Sequence, residues 1–157
     1  MLITQYCYFN LVSEQMTAAE MTARLRVEPD EVQVRAGRQA QPPRPVTHRW
    51  MVVCRQAGLA VDEQIERIVG RLFKHAAAIG DLAAELDRIE GGPGSSVLQI
   101  VRVFGDPTGE DEDLSAVDGL QKLPGQHQLL GWHLDNRALE FLRMTHAQLD
   151  VDEYVHS

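Results

Sequence analysis

Leu25-Arg26-Val27-Glu28-Pro29-Asp30-Glu31-Val32-Gln33-Val34 follows a strand-like run and a short helical pattern near the start of the chain. At the far end Gln148-Leu149-Asp150-Val151-Asp152-Glu153-Tyr154-Val155 follows a similar run and another short helix. Two strand–helix–strand units of like design, one at each end, predict a small α+β domain with both terminal strands built into its sheet.

Working outward from the first stretch, residues 2–12 read as an interior strand. Tyr6 and Tyr8 lie on one face, Cys7 and Phe9 on the other, and both faces are apolar. Thr17 followed by Glu20 is a capping box, opening a helix through about Leu25 with Ala18, Met21 and Leu25 along one stripe. Pro29 stops that helix, and Val32 and Val34 alternate with polar residues in a short strand. Gly37 to Pro45, with Pro42, Pro43 and Pro45, reads as a loop, and Thr47 to Cys54 resumes a strand.

Asp62 is placed to cap the longest helical pattern, which runs through Ile65, Ile68, Val69, Leu72, Ala76, Ile79, Leu82, Ala83 and Leu86. Unbroken, a helix over 62–89 would be about 40 Å long, so a break is expected at Gly80-Asp81. Gly91-Gly92-Pro93-Gly94 ends it, and Ser96 to Phe104 is a strand. Residues 106–118 carry six acids and no Lys or Arg, which predicts a mobile, dispensable loop. Leu129, Leu130 and Trp132 read as a strand, Asp135 as the N-cap of a helix to about His146, and Leu149, Val151 and Tyr154 as the last strand. The order β-α-β-β-α-β-β-α-β is that of a ferredoxin-like unit extended by a further strand–helix–strand. One domain over residues 1–157, with a mainly antiparallel sheet and helices on one face, is the expected architecture.

Composition bounds the function classes. The 157 residues are 44% apolar and 24% charged, with a net charge of −8. That balance argues against a nucleic-acid surface, which needs clustered cations. No signal-peptide pattern and no bilayer-length apolar window is present, so a cytoplasmic protein without a membrane role is expected. Cys7 and Cys54 sit in apolar runs without CxxC spacing and read as buried small hydrophobes. The charge is segregated: seven arginines fall between Arg24 and Arg55, and the acids Asp106, Glu110, Asp111, Glu112, Asp113 and Asp118 cluster in the later loop.

The LxVxPD run at Leu25 to Asp30, the RxG at Arg35 to Gly37, Trp50, and the terminal LDVDxY at Leu149 to Tyr154 form an ordered series. It resembles the uncharacterised bacterial family catalogued as domain of unknown function 4279, over nearly the whole chain. The resemblance implies an α+β fold and carries over no catalytic or binding residue.

Signatures of chemistry are sparse. Asp150, Asp152 and Glu153 are closely spaced carboxylates, but the glycine turn and downstream glutamate of a calcium loop are missing. None of the six histidines, His48, His75, His127, His133, His146 and His156, makes HxH or HExxH. A site assembled from His48, His133 and Asp152 on one sheet face is the alternative. No GxSxG turn exists, and the glycine run at 91–94 leads into a strand, without the helix N-terminus of a phosphate cradle.

Arg35, Arg38, His48 and Trp50 form the one group that suits recognition, since Arg and aromatic side chains dominate binding hot spots. Inside Trp50-Met51-Val52-Val53 the tryptophan also reads as core. The expected function is a non-enzymatic protein-interaction domain of regulatory or immunity type. Its expected partner has an acidic surface, homodimerisation is anticipated, and no cofactor or metal is implied. The alternatives are a small metal-dependent hydrolase and a small-ligand-binding regulatory domain.

Overall fold

The computed structural model describes residues 1–36, 46–111 and 129–156. Alternating apolar residues pull Ile3–Ser13 into strand β1, which becomes the middle of a five-stranded sheet. Helix α1 (Ala18–Leu25) opens on the expected capping box: Thr17 accepts from the Glu20 N–H, and the Glu20 carboxylate accepts from the Thr17 N–H at 2.8 Å. It ends because Arg26 turns into the left-handed region at φ 55°, three residues before Pro29. Strands β2 (Glu31–Gln33) and β3 (His48–Cys54) follow as an antiparallel pair.

Helix α2 spans Val61–Leu72 and α3 spans Ala76–Glu90, joined by a single 3₁₀ turn at Phe73–His75. The break therefore falls at this turn, and Gly80-Asp81 lies inside α3. Gly80 serves a different need: a Cβ there would collide with the Met144 carbonyl oxygen at the end of helix α4 (Asn136–Met144). Asp62 sits in the first turn of α2, where Ala60 is the N-cap and the Glu63 carboxylate accepts the Ala60 N–H at 2.7 Å. Strand β4 is Ser96–Phe104, α4 is capped by Asp135 accepting from the Ala138 N–H at 2.7 Å, and β5 is Gln148–Val155.

The strand order is β2-β3-β1-β4-β5. Three neighbouring pairs are antiparallel and β4–β5 is parallel, so this is an α+β fold with a mixed, mostly antiparallel sheet. The expected strand at Leu129 to Trp132 is absent: Leu129 and Leu130 form a turn whose carbonyls accept from Arg102 instead of joining a ladder. Among the described residues the addition after β4 is thus one helix and one strand, with β5 at the edge of the sheet.

The core lies between one sheet face and the four helices. Cys7, Phe9, Leu11, Trp50, Val52, Leu98 and Ile100 meet Met21, Ile65, Leu72, Ile79, Leu86 and Phe141 in one cluster. Phe9 and Phe141 pack edge to face, with ring centroids 5.3 Å apart. Among the described residues no helix is long and apolar enough to cross a membrane.

The beginning of the acidic stretch is built into the fold. Glu110 exchanges backbone hydrogen bonds with Ile3 (2.9 and 2.8 Å), and its carboxylate accepts the Gly58 N–H at 2.6 Å. The Asp106 carboxylate takes the Thr4 hydroxyl at 2.7 Å and both the N–H and hydroxyl of Thr108. Those bonds tie residues 106–110 to β1 and to the turn before α2; residues 112–118 of the expected mobile loop lie outside the described residues.

Candidate functional site

Among the described residues the helices cover one side of the sheet and no element covers the other, although Asn10, Gln99 and Val101 in its middle are buried at 2, 7 and 9% exposure. Strand alternation decides what it presents. Tyr6, Tyr8 and Asn10 of β1 point there, as do Arg49, Met51 and Val53 of β3, Val97, Gln99, Val101 and Val103 of β4, and Asp150, Asp152 and Tyr154 of β5. The register lines these up in rows across the strands. Tyr6 pairs with Val101 and Val101 with Asp152, while Arg55, just beyond the Cys7–Cys54 pair, lies level with Tyr6. The next row is Val53, Tyr8, Gln99 and Asp150.

At the β3 side the face is cationic and aromatic. The Arg55 guanidinium stands 4.2 Å over the Tyr6 ring, and Tyr6 stacks on Tyr8 with centroids 6.2 Å apart. Arg55 is also paired with Glu31 of β2 at 3.3 Å. Burial pushes the Tyr8 phenol up, with the nearby charge and hydrogen bond of Arg49 pulling against it. The Arg49 Nε is buried with no hydrogen-bond partner. At the β5 side the face is anionic: Asp150 is exposed, and Asp152 accepts from Gln99 Nε2 at 3.1 Å.

The arginine–histidine–tryptophan group of the sequence is dispersed. Trp50 is 0% exposed, on the helix-facing side of β3, and so is removed from any surface; its indole N–H has no hydrogen-bond partner. His48 is half-buried at the start of β3, and its Nδ1 accepts the backbone N–H of Arg35 at 3.0 Å. The Arg35 side chain donates to the Glu14 carbonyl at 3.0 Å and pairs with its carboxylate at 3.6 Å. Arg38 lies outside the described residues.

The metal alternative is separated by the same alternation. Asp150 and Asp152 share the bare face, whereas Glu153 points the other way to pair with Arg102 at 2.8 Å. His133 lies 3.4 Å from Asp62 at the start of α2, far in the fold from His48 on β3 and Asp152 on β5. Among the described residues no group of three or more His, Cys, Asp or Glu is gathered to hold a metal ion. The groove holding Asp62, Glu66, His133 and Asp135 encloses only about 120 Å³, below the usual range of a ligand pocket.

Sequence reading therefore missed Arg49, Arg55 and Asp152 as neighbours on one surface. Their parity was visible along each strand, but the pairing that sets Arg55 and Asp152 at opposite ends of one row is a long-range property. Chemically the face offers stacked phenols, guanidinium groups and carboxylates, which suit recognition; among the described residues no nucleophile is paired with a base on it. No curated protein and no solved structure matches the chain. The family model for a domain of unknown function, DUF4279, matches residues 3–156, and the chain belongs to that family.

Proposed function

We propose that this domain is a non-enzymatic protein-interaction module that docks its partner on the bare sheet face. The observation that carries this reading is the stack Arg55–Tyr6–Tyr8 on a sheet face that no described element covers, because stacked aromatic and guanidinium groups lose little side-chain entropy on binding and concentrate contact energy. An antiparallel sheet covered on one side can face water, but then its free face is ordinarily polar. Here Tyr6, Tyr8, Met51, Val53, Val97 and Val103 make it largely apolar. His48 shares the helix-facing parity of Trp50 and holds the Arg35 backbone, so the cationic contacts of the bare face pass to Arg49 and Arg55. The strand order β4-β1-β3-β2, antiparallel throughout, supports reading the first part of the chain as a ferredoxin-like unit to which α4 and β5 are added. Two free buried thiols fit a reducing, cytoplasmic setting.

The test is site-specific photo-crosslinking in the native host. A photoreactive phenylalanine analogue replaces Tyr8 or Tyr154 on the bare face, and Ala78 on the exposed side of α3 as a control. Protein adducts from the two sheet positions and none from position 78 are expected. No adduct from either sheet position would overturn the reading.

A further inference from the structure

We infer that the occupant of the bare face is a second copy of this chain, seated face to face about a two-fold axis that runs parallel to the strands between β1 and β4. This rests on reading the face as an interaction surface and adds the identity and geometry of the partner. The argument is one of charge placement. One row across the face runs Arg55, Tyr6, Val101, Asp152, with a guanidinium at one end that Glu31 of β2 also pairs, a carboxylate at the other, and Tyr6 and the largely buried Val101 between. The neighbouring row ends in Asp150 on the same anionic side, and Arg49 adds to the cationic side.

Two in-plane axes can bring two such faces together. An axis across the strands lays β5 on β5 and stacks the carboxylates Asp150 and Asp152 against their own copies, which is repulsive. An axis along the strands, between β1 and β4, exchanges β1 with β4 and β3 with β5. Asp152 of each copy then stands over Arg55 of the other, twice by symmetry, and the Tyr6 and Val101 side chains meet at the centre. Charge therefore selects one of the two arrangements.

The overlap area sets the strength. About this axis β2 has no counterpart, so four strands at about 4.8 Å spacing and roughly eight residues of strand length overlap over about 19 by 26 Å. That is about 500 Å² per copy, in the range of weak interfaces, so micromolar rather than nanomolar self-association is expected. The Tyr8 phenol and the unpaired Arg49 Nε lie within this footprint.

The experiment is a charge swap read by sedimentation equilibrium on the full chain, with circular dichroism to show that each variant folds. Wild type should be a dimer at tens of micromolar. Arg55→Asp alone and Asp152→Arg alone should each weaken self-association about a hundredfold, because both symmetric contacts become repulsive. The two single variants mixed in equal amounts should associate again. The carboxylate introduced in one chain then faces the guanidinium introduced in the other, and the unaltered Asp152 of the first faces the unaltered Arg55 of the second. Arg55→Asp combined with Asp152→Arg in one chain should likewise recover the dimer. A wild type that remains monomeric at several hundred micromolar, single variants that stay dimeric, or a mixture that does not associate would each overturn the inference. If the photo-crosslinks on the bare face then join the chain to a different protein, the interaction-module reading stands and the second-copy inference alone falls.

Discussion

Arg102 and Glu153 form a 2.8 Å ion pair across the parallel β4–β5 junction, and the arginine side chain is only 6% exposed while the glutamate is 49% exposed. The same guanidinium donates to the carbonyls of Leu130 at 3.0 Å and Leu129 at 3.4 Å and lies 4.9 Å from the centre of the Phe104 ring. One buried cation thus fastens the turn before α4, the strand β4 and the edge strand β5.

Removing the arginine takes a donor from two carbonyls and a glutamate at once. Arg102→Ala should cost about 3 kcal/mol in urea unfolding. Glu153→Gln keeps a neutral acceptor in place and should cost about 1 kcal/mol. An Arg102→Ala variant within experimental error of wild type would show that β5 is held by its ladder alone.

Local chemistry made much of the fold legible in the sequence. The Thr17–Glu20 capping box, the Asp135 cap and the two-residue alternation of Tyr6, Cys7, Tyr8 and Phe9 each depend on residues within a few positions of one another. What was misread depends on distant partners. Leu129 and Leu130 look like strand residues until Arg102 claims their carbonyls, and Asp106 and Glu110 look like repelling charges until Thr4 and Gly58 supply donors. Trp50 and Arg35 are close in sequence, but one is buried under the helices while the other pairs with Glu14. The bare face itself exists only through register, which no single strand encodes.

Gly80 gives a sharp test of helix packing. Alanine in a helix interior is ordinarily more favourable than glycine by about 1 kcal/mol. At position 80 its Cβ would overlap the Met144 carbonyl, so α4 would have to move away from α3. Gly80→Ala should therefore destabilise by about 1–3 kcal/mol. Gly70 in α2 has open space around it, and Gly70→Ala should stabilise by about 0.5–1 kcal/mol. Equal effects of the two substitutions in thermal melts would exclude the close approach.

The Asp106 carboxylate provides a pH test at the other end of the scale. Its pKa is held below the ordinary 3.8, first by the Thr4 hydroxyl and then by the N–H and hydroxyl of Thr108. A carboxyl depressed in the folded state contributes stability above its unfolded pKa and loses it as pH falls through the folded value. The melting temperature of wild type should therefore drop more steeply below pH 4 than that of Asp106→Asn. Parallel acid-unfolding curves would remove the role assigned to this turn.

Cys7 and Cys54 lie directly opposite one another on β1 and β3, both inside the core. The Cys7 thiol is pushed from 9.0 up to about 12, mainly by burial and secondarily by Cys54, with Arg102 pulling it down. The folded state thus keeps this thiol neutral where the unfolded chain ionises it. The sign follows: its contribution is complete below pH 9 and is lost as pH rises from 9.0 towards about 12. Chemical unfolding at pH 8, 9.5 and 10.5 should show stability falling with pH, and the fall should be shallower in Cys7→Ala. Alkylation by iodoacetamide at pH 8 should be slow at both thiols until denaturant is added, because only the thiolate reacts and neither sulfur is reachable in the fold. Rapid modification of Cys7 in the native protein would mean that β1 and β3 open on the timescale of the reaction, which is incompatible with β1 as the central strand of the sheet.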